Sequence, residues 1–439
     1  MNSLDRRGFL KTASVMAAGL ALAGKVKADE KPAPPANKDK KVRVGVIGCG
    51  GRGSGHVSGL VELGGWIAIP ALCDINPAAA KRNSDMLVGK GYPKPEEYTT
   101  GETAYEKMLE RGDLDAVIIA TPWHWHVPMG LHAMKNGIYP GIEVPCALTI
   151  EDCWKLVDTS EKTGVPCMML ENWSFRSDNL ALLRMAREGL FGEIVHTHCA
   201  HSHDCIDHWF FDAATGADLW PAEYLLKYNH DQYPTHAVGP VLSWHDINCG
   251  DRFVSLTSTA TEERGIRAYF KRKFGPDHPG AKRKYAQGDI VTTVIRTAKG
   301  KSIVVNYDLQ LPRPYDNRWM LQGTLGVYSE QRNALYLTGR SPQYHEWEPF
   351  PPYQEKYQHP WYQAGGLGGH GGVDGIMLRL FLEAVRDKKP TPIDVYDSVT
   401  MSCIVALSGD SIAKGSAPVQ APDFTRGKWE TRKPAFGLV

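Results

Sequence analysis

Hydrophobic and polar positions follow different patterns in the two halves of the chain. Between residues 42 and 170, short apolar runs alternate with helical stretches such as 150–163, which predicts a parallel sheet covered by helices. The run at 115–120 is apolar after its first residue, as expected for a strand buried on both faces. After residue 171 longer β-rich stretches predict a large antiparallel or mixed sheet. These stretches are 193–200, 252–259, 289–297 and 301–309.

The first apolar run, at 42–47, leads directly into Gly-Cys-Gly-Gly-Arg-Gly at 48–53 and then into a predicted helix. Strand, Gly-x-Gly-x-x-Gly and helix in this order predict a dinucleotide-binding turn. In such a turn Gly48 permits the tight bend, Gly50 lets a pyrophosphate approach the backbone, and Gly53 allows close contact between helix and strand. The amides at the start of the helix face the phosphates.

The predicted helix spans 54–63 and is followed by an apolar strand at 66–73 that ends at Asp74, 21 residues after Gly53. A carboxylate at this position accepts hydrogen bonds from the ribose hydroxyls and repels the extra phosphate of NADP. NAD is therefore the predicted cofactor. The alternative is an ordinary strand, turn and helix in which Asp74 serves only as a cap.

Two tryptophans and two histidines follow the strand at 115–120, in the segment Thr-Pro-Trp-His-Trp-His at 121–126. Ligands of open α/β sheets bind outside the carboxyl ends of the strands. We therefore interpret this loop as a contact region for nicotinamide and substrate rather than as core packing.

The length of 439 residues favours two domains over a single core. We predict an N-terminal Rossmann domain at 41–170 and a C-terminal α+β domain at 171–439, whose helix at 375–386 packs back across the assembly. The 50 basic and 49 acidic residues are evenly mixed, which argues against nucleic-acid or anionic-membrane partners and favours a small uncharged ligand.

The first 28 residues are predicted to be a twin-arginine export signal. Arg6 and Arg7 precede an apolar run at 13–24, and Val-Lys-Ala at 26–28 offers a cleavage site. The alternative, a membrane anchor, needs roughly 20 apolar residues, more than this run supplies. Residues 29–40 are then a linker, and the mature protein is expected in the periplasm or outside the cell.

The nine cysteines are odd in number and irregularly spaced, so we predict buried thiols rather than a disulfide framework. The sequence contains neither a Cys-x-x-Cys pair nor a His-Glu-x-x-His run. On these motifs a metal site is not predicted.

Titratable side chains cluster at positions that no helix or strand period explains. They are Tyr-Pro-Thr-His at 233–236, ahead of a helix predicted near Gly239, His-Ser-His-Asp at 201–204, Pro-Arg-Pro-Tyr at 312–315, and His370 within the glycine-rich run 365–372. Glycines on both sides of His370 favour a mobile acid/base group, because imidazole titrates near neutrality. The alternative is a linker with an incidental histidine.

With these motifs the chain resembles the NAD-dependent glycosidases of glycoside hydrolase family 109, in the Gfo/Idh/MocA superfamily, from about Lys41 to the C-terminus. The matching stretches are Gly-x-Arg-Gly at 50–53, Pro-Trp-x-Trp-His at 122–126, Glu-Val at 143–144, Thr-Gly-Val-Pro at 163–166, Leu-Glu-Asn at 170–172, Leu-Phe-Gly-Glu at 190–193, Tyr-Pro-Thr-His at 233–236, Gln-Gly-Asp-Ile-Val-Thr-Thr at 287–293, Arg-Pro-Tyr at 313–315, Gly-His-Gly-Gly at 369–372 and Asp-Val-Tyr-Asp at 394–397. Sugar dehydrogenases of the superfamily carry Glu-Lys-Pro where this chain has Glu143-Val144-Pro145. Since valine cannot shuttle a proton, a use of NAD other than net oxidation is expected.

The resemblance implies an α-N-acetylgalactosaminidase that works without net redox change. Carbon 3 of the sugar is oxidised by NAD, the carbon-2 proton is removed, the glycosidic oxygen leaves carbon 1, water adds, and the hydride returns. The residues that it implies are, for catalysis, His370, His236, Tyr233 and Glu171; for substrate binding, His201, Tyr233 and Tyr315; and for NAD, Gly48, Gly50, Gly51, Arg52, Gly53, Asp74, Trp123, His124, Trp125, His126, Glu143, Val144 and Asn172.

His201 is one departure from the family, which usually has tyrosine at this position, near carbon 2 of the sugar. The identity of the carbon-2 base is therefore left open by the sequence. Two other functions compete with the glycosidase: a periplasmic sugar oxidoreductase, which Val144 disfavours, and a catalytically silent sugar-binding protein, which His236, Tyr315 and His370 disfavour. Superfamily members commonly associate through the sheet of the second domain, so a homo-oligomer is expected.

Overall fold

The structure, a computed structural model, describes residues 41–362 and 368–438. All of these belong to one compact unit, Asn37–Val439. The predicted export signal at 1–28, the predicted linker at 29–40 and the residues 365–367 of the glycine-rich run lie outside the described residues.

Six parallel strands form the first sheet, in the order β3-β2-β1-β4-β5-β6. They are β1 Val42–Ile47, β2 Ile67–Cys73, β3 Glu96–Tyr98, β4 Ala116–Ile119, β5 Tyr139–Ile142 and β6 Met168–Met169. The direction of winding reverses between β1 and β4, which opens a crevice at the carboxyl ends of these two strands. This is the predicted Rossmann arrangement. The strand expected at 165–170 is reduced to two residues.

Five helices connect these strands. They are α1 Gly51–Glu62, α2 Pro77–Gly89, α3 Ala104–Leu109, α4 His126–Lys135 and α5 Ile150–Thr163. The bounds of α5 are those predicted, because its ends carry strong local signals: the Thr149 side chain accepts from the Asp152 amide, and Gly164 adopts a left-handed conformation. Helix α1 begins three residues earlier than predicted, inside the glycine turn itself.

Nine strands form a second, mixed sheet in the order β14-β13-β12-β11-β7-β10-β9-β8-β15. They are β7 Ile194–Ser202, β8 Phe253–Ala260, β9 Val291–Thr297, β10 Ser302–Asp308, β11 Met320–Gly323, β12 Gly326–Ser329, β13 Ala334–Leu337, β14 Glu348–Pro349 and β15 Val419–Gln420. Strands β7 and β10 run parallel, and the other neighbours run antiparallel. The prediction of a large mixed sheet is confirmed.

The remaining helices are α6 Ser177–Arg187, α7 Ala222–Lys227, α8 Thr235–His245, α9 Gly265–Phe274, α10 Pro279–Lys282, α11 Pro351–Lys356, α12 Val373–Asp387 and α13 Val395–Ala413. Short 3-10 turns lie at Trp123–Trp125, Trp173–Phe175, Pro360–Tyr362, His370–Gly372 and Lys428–Glu430, and one π turn lies at Ile206–Phe210. Helix α12 packs back on α1 and β1, as expected from the sequence.

The helix that the sequence predicts to begin near Gly239 begins earlier in the structure. Helix α8 begins at Thr235, with Pro234 as its N-cap residue, so His236 lies in its first turn rather than in a loop before it. Proline is well tolerated at this end of a helix because the first amides have no partner inside the helix. Of the residues described, none forms a helix long and apolar enough to span a membrane.

Candidate active site

The glycine turn closes tightly on the first sheet. Gly48 has a φ of +87° and its amide donates to the Cys73 carbonyl at 2.8 Å. A Cβ atom on Gly53 would lie 1.7 Å from the Gly48 carbonyl oxygen, so only glycine permits this approach of α1 to the strand. A Cβ atom added to Gly50 or Gly51 would have no neighbouring atom within 4 Å. The turn therefore presents bare backbone to the crevice.

Asp74 stands at the carboxyl end of β2 and is held by two backbone amides. Its Oδ2 accepts from the Cys49 amide at 2.6 Å, and its Oδ1 accepts from the Asn76 amide at 2.7 Å. Asp74, Gly50, Gly51 and the turn residue Arg52 line one cavity of about 650 Å³. A carboxylate at the strand end and open backbone at the helix start are the groups that a ribose and a pyrophosphate require.

Arg52 joins three segments of the chain at the inner end of this cavity. Its Nε donates to Glu143 Oε1 at 2.6 Å, and its Nη1 donates to Asp374 Oδ2 at 2.6 Å. Asn172 Nδ2 donates to the other oxygen of Asp374 at 2.8 Å. His56 Nε2 lies 2.6 Å from Glu143 Oε1.

The charges in this group stabilise one another. Burial by itself raises the pKa of Glu143, but Arg52 and His56 hold that pKa well below its ordinary value. Burial likewise raises the pKa of Asp374, and His370 and Arg52 lower it by more. Both carboxylates therefore stay charged across the physiological range, and they fix Arg52 between the glycine turn and helix α12.

Aromatic rings cover the crevice opposite the glycine turn. Trp123 is buried and donates from Nε1 to the Val144 carbonyl at 3.1 Å, while its ring contacts Trp209, Trp220 and Tyr224. Trp123, Trp125, His126, Glu143 and Val144 line the same cavity as Asp74. The Val144 side chain stands where a lysine is expected in a sugar dehydrogenase of this superfamily.

Two histidines of this loop are placed differently. His126 is buried, and its Nδ1 and Nε2 lie 2.8 Å and 2.9 Å from the carbonyl oxygens of Pro145 and Thr121. It therefore ties the loops after β4 and β5 together. His124 is exposed and is not among the residues that line the described cavity, so the structure does not bring it to the cofactor region.

His236 lines a second, adjoining cavity of about 640 Å³, and its partner Glu171 is buried behind it. His236 Nδ1 donates to Glu171 Oε1 at 2.8 Å. Glu171 is fully buried and also accepts from the amides of Trp173 and Ser174, at 2.9 Å and 2.8 Å. Because the carboxylate holds the proton on Nδ1, Nε2 of His236 is left with its lone pair to accept a proton from a ligand.

His370 enters the same cavity from the turn before α12. Its Nδ1 donates to Asp374 Oδ2 at 2.8 Å, so its Nε2 is also free. The indole of Trp173 lies 5.5 Å from the His370 ring and 5.9 Å from the His236 ring, measured between ring centroids. Two oriented imidazoles therefore flank one tryptophan at the base of the cavity.

His201 faces this pair from the end of β7. Its ring centroid lies 5.0 Å from that of His236, and its Nδ1 lies 3.3 Å from the Tyr315 hydroxyl. Burial, together with His236 and His203, lowers the pKa of His201 well below its ordinary value, so its ring is neutral near pH 7. Tyr233 packs on both imidazoles at 5.0 to 5.1 Å, and burial raises the pKa of its hydroxyl well above the ordinary value.

The fold thus brings together all the residues predicted to act on a sugar, from segments far apart in the chain. The sequence analysis missed Trp173 and Asp374. Trp173 had a local sign, because it directly follows Glu171-Asn172. Asp374 had none, because the non-helical backbone at Gly371 separates its helix α12 from His370. Cys205 and His208 were also missed, and they line the same cavity as His203, which belongs to the candidate segment 201–204.

The two cavities share Arg52, Glu143 and Tyr233, so a dinucleotide in the first has one end beside the imidazoles of the second. The residues present fit NAD: an acidic ribose acceptor, a bare glycine turn and a helix start. This fold and site define an enzyme that holds NAD next to a polar, aromatic-walled substrate cavity.

Comparison with known proteins identifies the family. The model for the oxidoreductase family with NAD-binding Rossmann fold matches residues 42–171, and the model for the C-terminal domain of glycosyl hydrolase 109 matches residues 175–431. The chain is 41% identical over 466 residues to an alpha-N-acetylgalactosaminidase of Tannerella forsythia, and 41% identical over 458 residues to a glycosyl hydrolase family 109 protein of Shewanella pealeana, each covering 99% of both chains. The chain belongs to glycoside hydrolase family 109 and is an NAD-dependent glycosidase.

Solved structures share the fold at low identity. A levoglucosan dehydrogenase in complex with NADH matches with a TM-score of 0.66 and 20% identity, covering 88% of this chain and all of that one. A myo-inositol dehydrogenase of Lactobacillus casei, in complex with NAD(H) and myo-inositol, matches with a TM-score of 0.61 and 16% identity, covering 88% and 99%. These similarities extend to the fold of both sheets.

Proposed function

We propose that this protein releases terminal α-linked N-acetylgalactosamine from glycans by oxidation, elimination, water addition and reduction. The observation that carries the proposal is the pair of carboxylate-anchored imidazoles, His236 and His370, in one cavity that adjoins the NAD crevice. The full-length relative named alpha-N-acetylgalactosaminidase supports the choice of sugar. Among the residues that the structure describes, no lysine lines either cavity, which disfavours the oxidoreductase alternative.

His236 is the group proposed to accept the proton of the 3-hydroxyl. Bound NAD supplies the hydride acceptor at carbon 3 and the hydride that is returned at the end. As the hydroxyl proton moves to Nε2 of His236, the imidazole becomes positive, and the buried Glu171 carboxylate at 2.8 Å stabilises that charge. Tyr233 packs against the ring and fixes its orientation.

His201 is proposed as the base for the carbon-2 proton, which the 3-ketone makes acidic. Its low pKa leaves it neutral and able to accept a proton, and the hydroxyl of Tyr315 lies 3.3 Å from its Nδ1. The electron pair that this proton leaves at carbon 2 forms a double bond to carbon 1, and the bond between carbon 1 and the glycosidic oxygen breaks. His370 gives the departing oxygen a proton and then takes one from the water that adds to carbon 1, while carbon 2 regains its proton from His201.

A chromogenic α-N-acetylgalactosaminide, supplied without cofactor, tests the proposal. We expect steady release of the chromophore by protein that carries about one NAD per chain, and deuterium at carbon 2 of the sugar released in heavy water. Retention of the original carbon-2 proton would favour a two-carboxylate displacement instead. Oxidation of free sugars with net formation of NADH would support the oxidoreductase.

We further propose export by the twin-arginine route to the periplasm or cell exterior. The support is the segment at 6–28 with its paired arginines and short apolar run. Replacing both Arg6 and Arg7 by lysine should retain the protein in the cytoplasm of the producing cell. Equal export of that variant and the wild type would contradict this route.

We also propose a homo-oligomer formed through the nine-stranded sheet. The support is an outward-facing patch in which Val294 is exposed next to the half-buried Val304 and His198. Light scattering should give at least twice the chain mass, falling toward one chain in Val294→Asp. A monomeric wild type would contradict it.

A further inference from the structure

Three metal-ligating side chains converge on the wall of the sugar cavity. One ligand atom from each of His203, Cys205 and His208 lies within 4.8 Å of the other two, and among the described residues this is the one group of three or more such side chains that does so. All three line the cavity that also holds His201, His236 and Tyr315. In the sequence they form His-x-Cys-x-x-His at 203–208, a spacing different from Cys-x-x-Cys and His-Glu-x-x-His.

The backbone explains the convergence. His203 and Cys205 continue the direction of β7, and their amides donate to the carbonyls of Asp308 and Leu309, at 2.8 Å and 3.1 Å. The chain leaves the extended conformation at Cys205, which has a φ of −111° and a ψ of 6°, and the side chains of His203 and Cys205 both line the cavity. The π turn at Ile206–Phe210 then reverses the chain and carries His208 back beside them. The ring centroids of His203 and His208 lie 5.4 Å apart.

The donor atoms are free to bind an ion. Within the described part of the chain, neither the Cys205 thiol nor a ring nitrogen of His203 has a hydrogen-bond partner, whereas the thiols of Cys146, Cys199 and Cys403 each contact a backbone carbonyl. Cys205 is buried and His208 is more than half exposed, so an ion bound between them is closed by protein on one side and open on the other. Asp207 Oδ1 lies 3.9 Å from His208 Nδ1 and supplies negative charge beside it.

We propose that His203, Cys205 and His208 form a three-ligand site for a divalent transition metal, with zinc as the expected ion and a fourth position open to the sugar cavity. Two imidazoles and one thiolate are a ligand set that zinc prefers, and three protein ligands with one open position are typical of zinc that contacts substrate. With zinc–nitrogen distances of about 2.0–2.1 Å and a zinc–sulfur distance of about 2.3 Å, tetrahedral ligand atoms stand roughly 3.4–3.7 Å apart. The ligand atoms, which lie within 4.8 Å of one another, therefore need to close by no more than about 1.5 Å, and His208 is the most exposed of the three.

An ion at this place would present its open position to water or to an oxygen of the bound sugar. The His203 ring centroid lies 4.9 Å from that of Tyr315, which in turn contacts His201. A metal in this wall would polarise an oxygen bound to it. The existence of the site does not depend on the proposed glycosidase chemistry, because metal binding is measured without turnover.

Metal content of the full, untagged protein with its NAD tests the site. After dialysis against zinc and then metal-free buffer, elemental analysis should find about one zinc per chain. Competition with a chromophoric chelator measures the affinity for zinc, which should fall about a hundredfold or more in His203→Ala, Cys205→Ser and His208→Ala. Replacing a residue that only contacts a ligand typically lowers metal affinity about ten- to hundredfold, so a larger loss identifies the ligands themselves. Cys249→Ser and His345→Ala serve as matched controls and should bind like the wild type.

Cobalt substitution identifies the ligands. Cobalt(II) in the wild type should give the visible bands of a tetrahedral ion together with a near-ultraviolet thiolate-to-cobalt transition, and Cys205→Ser should remove the latter. His201→Ala, which alters the same cavity outside the proposed ligand set, should keep both. Retained NAD and an unchanged melting temperature show that a variant has folded. Absence of zinc from folded wild type, or binding that survives Cys205→Ser and disappears in His201→Ala, would overturn the proposal.

Discussion

The His236–Glu171 and His370–Asp374 pairs each join Nδ1 to a carboxylate oxygen over 2.8 Å, but their surroundings differ. The side chains of the first pair are 13% and 0% exposed, and those of the second are 45% and 8% exposed. His236 lies in the first turn of α8, under Tyr233 and His201. His370 lies in a glycine-flanked turn and has a φ of +53°.

The same hydrogen bond thus holds one imidazole inside the protein and the other at its surface, and the two settings suit different proton transfers. An enclosed imidazole suits a proton that must be exchanged only with the bound sugar, because water cannot compete for Nε2. An open imidazole suits a leaving group and then a water molecule, since both pass between cavity and solvent. The predictions below test this division of roles, beginning with the largest expected effect.

His236→Ala should lower kcat by about a thousandfold, within the range for loss of a general base, and by the same factor for good and poor leaving groups. Oxidation at carbon 3 precedes departure whatever the aglycone is. The measurement is the rate for a series of aryl α-N-acetylgalactosaminides of different leaving-group pKa. A loss confined to poor leaving groups would place His236 in the role now assigned to His370. NAD content should match the wild type.

His370→Ala should slow aryl glycosides with poor leaving groups by about a hundredfold and affect activated ones much less, because only the former need a proton at the departing oxygen. The same substrate series measures this as a steeper dependence of rate on leaving-group pKa. Equal losses across the series would remove His370 from the acid role. His345→Ala, an exposed histidine elsewhere, is the matched control.

Gly239→Ala should disturb only the enclosed pair. A Cβ atom at this position would lie 2.1 Å from Glu171 Oε2, so the carboxylate must move and His236 loses its orientation. We expect about a tenfold loss of kcat and a destabilisation of about 1–3 kcal/mol, as for an overpacked core. Gly55→Ala in α1 has open space around the added Cβ, so it should leave kcat unchanged and stabilise the helix slightly, by about 0.5–1 kcal/mol. Unchanged kinetics in Gly239→Ala would show that Glu171 does not orient the base.

Asp231→Asn should reveal a buried carboxyl next to the enclosed pair. Burial raises the pKa of Asp231 to about 7, and its Oδ1 accepts from the Tyr233 amide. A raised folded-state pKa means that folding favours the protonated form, so its stabilising effect is lost as pH rises through 7. The wild type should therefore lose about 1.4 kcal/mol relative to the variant between pH 6 and pH 8. Denaturant unfolding at both pH values measures the difference, and parallel pH profiles would contradict it.

The sequence predicted the dinucleotide half better than the sugar half for a physical reason. The glycine turn, the strand before it and Asp74 form one local unit, in which each residue is required by the backbone geometry next to it. Helix α5 likewise carries its cap residues within its own segment. Such signals need no knowledge of distant contacts.

The sugar cavity depends on contacts that no local pattern encodes. Glu171 meets His236 across 65 positions, and Trp173 meets Tyr315 across 142. The resemblance to a family supplied the names of these residues, but not the anchoring of each imidazole by a carboxylate. Asp374 and the group formed by His203, Cys205 and His208 became visible only when the fold brought their partners together.

The contact between Arg52 and Asp374 spans 322 positions of the chain. It connects a residue near the start of the described chain to one that the ribosome adds much later, so this contact cannot form until the chain has grown past residue 374. Contacts at such long sequence separation slow folding because a large loop must close before they form. If NAD binds at the glycine turn as proposed, we expect it to be captured by the early segment before His370 arrives beside it.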